Sequence, residues 1–194
     1  MSVSTTKSRR SLWTSASYKL AGWAGDMGLI LDIQSLGWVE VSLLHMESRL
    51  PAIAERQQSR PDEAESLADE LLPNEVMALS RLWLLGLYES VRTYKSAVRD
   101  NTMAWTPFAD LDRTLNLVRA PLAKHQVAGK NIHHVPALIT NTVSGRVGWM
   151  VYDPKTQASL KVFRTDLSDV FLSAAGSLIG AGEAEARARL LEQT

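Results

Sequence analysis

The stretch NEVMALSRLWLLGLYESVRTYKSAVR, residues 74–99, carries the strongest structural signal in this sequence. Its apolar residues recur at spacings of three, four and seven, which place them on one face of a helix. The main stripe consists of Val76, Leu79, Trp83, Leu87, Tyr94 and Val98. A second stripe consists of Met77, Leu84, Leu85 and Tyr88. A helix with so broad an apolar face is expected at the centre of a helical bundle.

The segments around this central helix predict further helices. Residues 33–49 have apolar positions at helical spacing, and Pro51 kinks or ends that helix because proline has no backbone N–H. Residues 59–72 predict a short amphipathic helix with acidic residues in its first turn, where the helix dipole favours them. Residues 105–118 begin the next helix, with Thr106 as its N-cap.

The pattern changes from helix to strand after residue 129. Residues 145–164 predict a β-hairpin, because Val147, Trp149 and Val151 alternate on one arm. Residues 165–176 then predict a helix capped by Thr165. The expected fold is therefore mainly α, a bundle of about four helices with a C-terminal β-hairpin and helix. A lone hairpin is marginal in water, so it must pack on the bundle or pair with a second subunit.

The length of 194 residues suits one domain with a substantial core. We assign residues 26–176 to this domain, residues 1–25 to an N-terminal tail, and residues 177–194 to a mobile C-terminal helix. The first 25 residues have basic residues and no acid, which also resembles a targeting peptide in composition. Residues 27–44 are the most apolar stretch, but acids interrupt it, so buried core is favoured over a membrane span.

The chain has no cysteine, which excludes disulfides, thiolate metal sites, iron–sulfur clusters and a cysteine nucleophile. This composition fits a reducing compartment, and we expect a cytoplasmic protein. His133 and His134 are adjacent and point to different sides in any regular structure, so no metal site is predicted there. We predict no cofactor and no metal.

The charges are unevenly distributed although their sum is zero. Residues 55–75 are strongly acidic, whereas the interval between Asp112 and Asp153 contains no acid. The basic residues of that interval are Arg113, Arg119, Lys124, Lys130 and Arg146. Such a basic surface attracts phosphate groups, so these residues are candidate contacts for RNA or an acidic protein. Alternatively, the acidic segment lies across the basic one, in the same chain or in a partner subunit.

Arg119 and His125 are the candidate catalytic residues. His125 continues the apolar stripe of its helix, so it is either a buried neutral histidine or a general acid or base. Six residues at 100° each place the two side chains about 120° apart on a straight helix. Pro121 lies between them and disfavours helical geometry at Ala120, so a kink there could swing His125 toward Arg119.

Tyr88, Glu89 and Arg92 are candidate supporting residues on the central helix, at the point where its double apolar stripe narrows. Glu89 and Arg92 have the spacing of a local i,i+3 ion pair, which contributes a few tenths of a kcal/mol. The alternative is that Glu89 or Tyr88 orients His125 across the helix interface in a buried polar network.

The spacing of Arg119, five residues and His125, on the last helix of the predicted bundle, resembles the R-x4-6-H motif of the HEPN superfamily. The resemblance covers about residues 30–128 as a fold and seven residues as a motif. It implies a small helical protein that is usually dimeric. Members are either metal-independent ribonucleases of toxin–antitoxin and antiviral systems or inert binding modules.

The resemblance also implies roles for the two residues. Arg119 would stabilise the charge that develops on a phosphate, and His125 would act as acid or base toward the ribose 2′-hydroxyl or its leaving oxygen. Two functions are therefore expected. The first is a binding or regulatory module, in a bacterial conflict or defence system, that contacts RNA or an acidic partner. The second is a HEPN-like ribonuclease, and a homodimer without membrane contact is expected in either case.

Overall fold

The structure of the protein, a computed structural model, describes residues 3–59, 67–124, 137–141 and 144–180. The helices are α1 (Val3–Ala24), α2 (Gly28–Glu47), α3 (Leu50–Ser59), α4 (Leu67–Ala97), α5 (Thr102–Trp105), α6 (Ala109–Lys124) and α7 (Arg164–Ser177). The strands are β1 (Ala137–Thr140), β2 (Val147–Asp153) and β3 (Ala158–Phe163). The prediction of a mainly α protein with a C-terminal hairpin followed by a helix is confirmed.

The N-terminal segment is a long helix where a tail over residues 1–25 was predicted. Helix α1 packs along α2 and buries Trp13 and Leu20. A Cβ atom at Gly37 would lie 2.6 Å from Cβ of Trp13, so the glycine of α2 lets the two helices approach closely. The many serines and threonines of this segment make the helical spacing of its apolar residues difficult to recognise. Its residues 13, 16, 20 and 23 are apolar, and their spacings of three, four and three are those of a helix.

The predicted helix over residues 59–72 is not a separate element in the described residues. Its described part, residues 67–72, is the start of α4, which continues through Pro73. Asp69 in this part accepts hydrogen bonds from Arg49 and Arg56, so it joins α4 to α3. This acid of the segment 55–75 therefore binds Arg49 and Arg56, which lie outside the basic interval 113–146.

Two predicted helix caps are wrong. The Thr106 hydroxyl donates 2.7 Å to the carbonyl of Thr102, and Thr106 begins a single 3-10 turn before α6. The side chain that does cap a helix here is Asn101, which accepts from the N–H of Ala104 at the start of α5. The Thr165 hydroxyl accepts from Nε of Arg146 instead of capping α7.

The hairpin becomes a three-stranded antiparallel sheet within the chain, in the order β1-β2-β3. Strand β2 is central, and its residues Val147, Trp149 and Val151 are buried as their alternation predicted. The sheet packs against α6, α4 and α7. Strand β1 was not predicted, and it covers the free edge of β2 that a lone hairpin would leave open. Residues 181–194, most of the predicted C-terminal helix, lie outside the described residues.

Two glutamates of α2, Glu40 and Glu47, are buried and anchor the helices around it. Glu47 forms a two-point ion pair with Arg164, with N–O distances of 3.1 and 2.7 Å. Glu40 accepts two hydrogen bonds from Arg9 at 3.1 and 2.8 Å and one from the indole of Trp13. These contacts attach α1 and α7 to the middle of α2. An isolated buried charge would cost several kcal/mol, so each carboxylate depends on its arginine.

The charge of Arg9 is reinforced by this arrangement. Burial lowers its pKa, but the hydrogen bonds and charges of Glu40 and Asp169 outweigh burial and raise the pKa above the usual value. The Arg164 guanidinium is fully buried, and its Nη1 lies 3.8 Å from Glu40, so one arginine interacts with both glutamates. The face of the Arg164 guanidinium also lies 5.6 Å from the ring centre of Trp83. The network therefore connects α1, α2, α4 and α7.

We expect Glu47→Ala to lower the free energy of unfolding by about 3–5 kcal/mol, because it leaves the Arg164 guanidinium buried without its partner. Chemical denaturation with circular dichroism detection measures this loss. The matched control is Glu75→Ala on the exposed side of α4, which should change stability by less than about 0.5 kcal/mol. The pair Glu47→Leu and Arg164→Met should regain most of the lost stability. A loss below about 1 kcal/mol for Glu47→Ala would contradict the assignment.

Candidate functional site

Arg119 of α6 lies against Tyr88 of α4. Its guanidinium carbon is 4.8 Å from the centre of the tyrosine ring, which is within cation–π range. Both side chains are half-buried. No carboxylate pairs with Arg119 in the part of the chain that the structure describes. Its N–H groups therefore remain available to a phosphate or carboxylate of a partner.

Two further contacts show how α4 and α6 run side by side. Lys95 Nζ lies 2.7 Å from Oδ2 of Asp112, and Nη2 of Arg81 donates 2.7 Å to the carbonyl oxygen of Leu122. Residues nearer the start of α4 contact residues nearer the end of α6, so the two helices are antiparallel. Arg81 binds one of the last carbonyls of α6, where a positive charge also complements the helix dipole. The Arg119 contact lies between these two.

Arg81 was not among the predicted site residues, although a sequence signal for it exists. Arg81 and Tyr88 are seven residues apart, which places them on the same face of α4. The result is a surface with Arg81, Tyr88 and Arg119, which we call the α4/α6 face. Its two cations have no carboxylate partner among the residues described.

The approach of His125 to Arg119 was expected to follow from a kink or a break at Pro121. Helix α6 continues through Pro121 as far as Lys124, the last residue described before position 125. The apolar stripe that leads toward His125 is buried as predicted, at Phe108, Leu111, Leu115, Val118 and Leu122. His125 itself lies outside the described residues, so its approach to Arg119 stays a prediction.

Glu89 and Arg92 form an ion pair with each other, 2.7 Å from Oε2 to Nη2. Both side chains are largely exposed, at 49% and 62%. This is the geometry of the local i,i+3 pair, one of the two alternatives that the sequence allowed. Tyr88, the other residue considered for orienting His125, contacts Arg119. Whether it also contacts His125 concerns a residue outside the described part of the chain.

Arg113 and Arg146, the two predicted partner-contact residues whose side chains are described, have partners of their own away from Arg119. Arg113 is 3.4 Å from Asp110, one turn earlier on α6. Arg113 and Arg119 are six residues apart and therefore project from α6 about 120° from each other. Arg146 binds Asp166 at the start of α7.

Arg146 also stacks on the ring of Phe163, with its guanidinium carbon 4.4 Å from the ring centre. It therefore stabilises the junction of the sheet with α7. The Lys124 side chain and all of Lys130 lie outside the described residues. Of the basic residues that the sequence predicted for this surface, the α4/α6 face therefore contains Arg119 among those that the structure describes.

No group of three or more histidine, aspartate and glutamate side chains suited to a metal ion occurs among the described residues. His133 and His134 lie outside this part of the chain.

The protein has no match among known protein-family profiles, curated proteins or solved structures.

We expect the contact between Tyr88 and Arg119 to have a measurable coupling energy. A double-mutant cycle with Tyr88→Leu and Arg119→Met should give about 0.5–1 kcal/mol in urea unfolding, the range of a partly exposed cation–π pair. The control cycle replaces Arg119→Met by Arg113→Met, because Arg113 binds Asp110 and lies on another side of α6. Equal coupling in both cycles would show that Tyr88 does not interact specifically with Arg119.

Proposed function

We propose that the protein is a binding module whose α4/α6 face takes single-stranded RNA. The observation that supports this proposal is the cation–π contact of Arg119 with Tyr88. The guanidinium has no carboxylate partner among the described residues. An arginine that is paired with an acidic residue of its own chain has few free N–H groups with which to bind a phosphate. Among the described residues, no acid is paired with Arg119 in this way.

The chemistry of this pair suits an unpaired nucleic-acid strand. Bases of a single strand stack on aromatic rings and on guanidinium planes, and the N–H groups of the same guanidinium bind phosphate oxygens. Base faces are hidden inside a duplex, so the proposal is specific to single strands. The resemblance of the Arg119–His125 spacing to a motif of RNA-cleaving proteins favours RNA over DNA.

The surroundings of the pair support an anionic partner. Arg81 adds a second cation on the same face, although it also holds the end of α6. The acid nearest to Tyr88 along α4 is Glu89, which binds Arg92. It therefore repels an approaching phosphate less than an unpaired carboxylate would. Lys95 at the far end of the face is neutralised by Asp112. Among the described residues of this region, the cations without a carboxylate partner are therefore Arg81 and Arg119.

The direct test is fluorescence anisotropy with a labelled single-stranded RNA of about 12 nucleotides. Arg119→Ala should weaken binding about 5- to 30-fold, as expected for loss of one stacking and phosphate contact. The matched control is Arg99→Ala, which removes an exposed arginine beyond the end of α4 and should leave the affinity unchanged. Binding should weaken with salt, by about 0.7 in log–log slope per phosphate contact. Equal affinity of the wild type and Arg119→Ala would refute the proposal.

The same samples test the ribonuclease alternative. Total RNA is incubated in EDTA with the wild type and with His125→Ala. If the wild type cleaves RNA and His125→Ala does not, the protein is a metal-independent ribonuclease and the assignment as a binding module is wrong. Binding without cleavage supports the module.

A further inference from the structure

Helix α2 is buried on one side only, although residues 27–44 were predicted as buried core. On its outer side Met27, Leu31 and Trp38 are 72%, 71% and 58% exposed. The helical stretch Gly28–Ser59 is long and apolar enough to cross a membrane by length and composition, and 33% of its most apolar window is buried. A cavity opens along the boundary between the buried and the exposed side of α2.

This cavity lies between α2 and α4 and has a volume of about 430 Å³. Such a volume is within the range of small-molecule sites in proteins. Apolar side chains form most of its wall, namely Leu36, Val39, Leu79, Leu82 and Trp83. Leu82 at the rim is 64% exposed, so the cavity is open to solvent.

The two helices that form the cavity run antiparallel. Arg49, just beyond the end of α2, donates to Asp69 near the start of α4. The indole N–H of Trp83, farther along α4, donates 3.1 Å to the carbonyl oxygen of Leu36. Asp32 precedes Leu36 by one turn and therefore lies level with residues that follow Trp83. The cavity thus has a polar end with Asp32, Glu89, Ser90 and Thr93, and an apolar end with Val39, Leu79 and Leu82.

The polar end of the cavity is acidic. Asp32 is exposed at its rim and has no cationic partner among the described residues. Glu89 binds Arg92 through Oε2, which leaves its second carboxylate oxygen without a partner in the described ranges. Within the same ranges no lysine, arginine or histidine lines the cavity. A ligand group at this end is therefore favoured if it carries a positive charge.

A buried hydroxyl lies at the same end. Ser90 is 4% exposed and lines the cavity. Serine in a helix can donate to the carbonyl four residues earlier, as Ser42 and Ser96 do in this protein. The Ser90 hydroxyl has no hydrogen bond of this or another kind within the part of the chain that the structure describes. A buried polar group without a partner is costly, so this hydroxyl is suited to a hydrogen bond with a ligand.

We propose that the cavity binds a small organic cation, a primary amine with an unbranched apolar tail. The three N–H donors of the ammonium match three acceptors, on Asp32, Glu89 and Ser90. The tail lies along the wall toward Val39 and Leu79. Asp32 and Val39 are seven residues apart, which is roughly 10 Å along α2. An extended chain of about eight carbons has this length, since each bond advances it by roughly 1.2 Å.

The lining of the cavity distinguishes this ligand from others with an apolar tail. The carboxylate of a fatty acid would be repelled by Asp32 and Glu89, and a neutral ligand would leave both charges without a counter-charge. The lysine side chain of a peptide has the same ammonium, but its four-carbon stem covers about half of the length. A free amine with a longer tail uses both ends of the cavity.

Isothermal titration calorimetry of the full chain with n-octylammonium chloride tests the proposal. We expect one molecule to bind per chain. n-Butylammonium should bind at least about 10-fold more weakly, because four fewer methylenes are buried. Octanoate should also bind at least about 10-fold more weakly, because its charge is reversed. Octanoate that binds as tightly as octylammonium overturns the proposal, and so does the absence of octylammonium binding. Equal affinity of the two amines indicates a lysine-sized group and overturns it as well.

Two variants with matched controls locate the binding site. Ser90→Ala should weaken octylammonium binding about 5-fold, the effect of losing one hydrogen bond. Its control is Ser80→Ala, which removes from α4 another buried hydroxyl without a partner among the described residues, away from the cavity. Asp32→Asn should weaken binding about 10-fold, the effect of losing a charge-assisted hydrogen bond. Its control is Asp100→Asn, an exposed acid beyond the end of α4. If either variant binds octylammonium as tightly as its control does, the proposal is wrong.

Discussion

The fold depends on the pairing of two carboxylates inside α2. Glu40 and Glu47 cannot be buried without cations, and the cations come from opposite ends of the sequence: Arg9 in α1 and Arg164 in α7. An apolar contact between two helices persists when one helix shifts along the other. A two-point ion pair forms at only one register of the two helices. The glutamates therefore determine where α1 and α7 lie along α2, and the sheet that leads into α7 is positioned with them.

The sequence predicted those features that follow from local periodicity. The repeating apolar positions of α4 and the alternation in β2 fix element type regardless of what packs on them. Helix α1 was missed because its composition of serine and threonine obscured a correct helical spacing. Glu40 was taken as an interruption of an apolar stretch, and Glu47 was not considered. Residues 33, 36, 40, 43 and 47 nevertheless recur at three and four, which marks both glutamates as core positions.

The candidate site was less predictable than the fold. The pair of Glu89 and Arg92 is local in sequence and could be anticipated from its spacing. The contact of Arg119 with Tyr88 joins two helices, and its existence depends on how they are rotated against each other. The spacing of residues within one helix does not determine how that helix is rotated against another. The exposure of Met27, Leu31 and Trp38 on α2 was not predicted for the same reason, since hydropathy does not reveal which side of an apolar helix is covered.

The long sequence distance between Glu47 and Arg164 has a consequence for synthesis on the ribosome. The two residues are 117 positions apart, so at about 5–20 residues per second Arg164 is made roughly 6–23 s after Glu47. Arg9 precedes Glu40 and is present from the start. The nascent chain can therefore neutralise one carboxylate of α2 early, while Glu47 stays hydrated. The bundle can only close around α2 once the last helix has emerged from the exit tunnel.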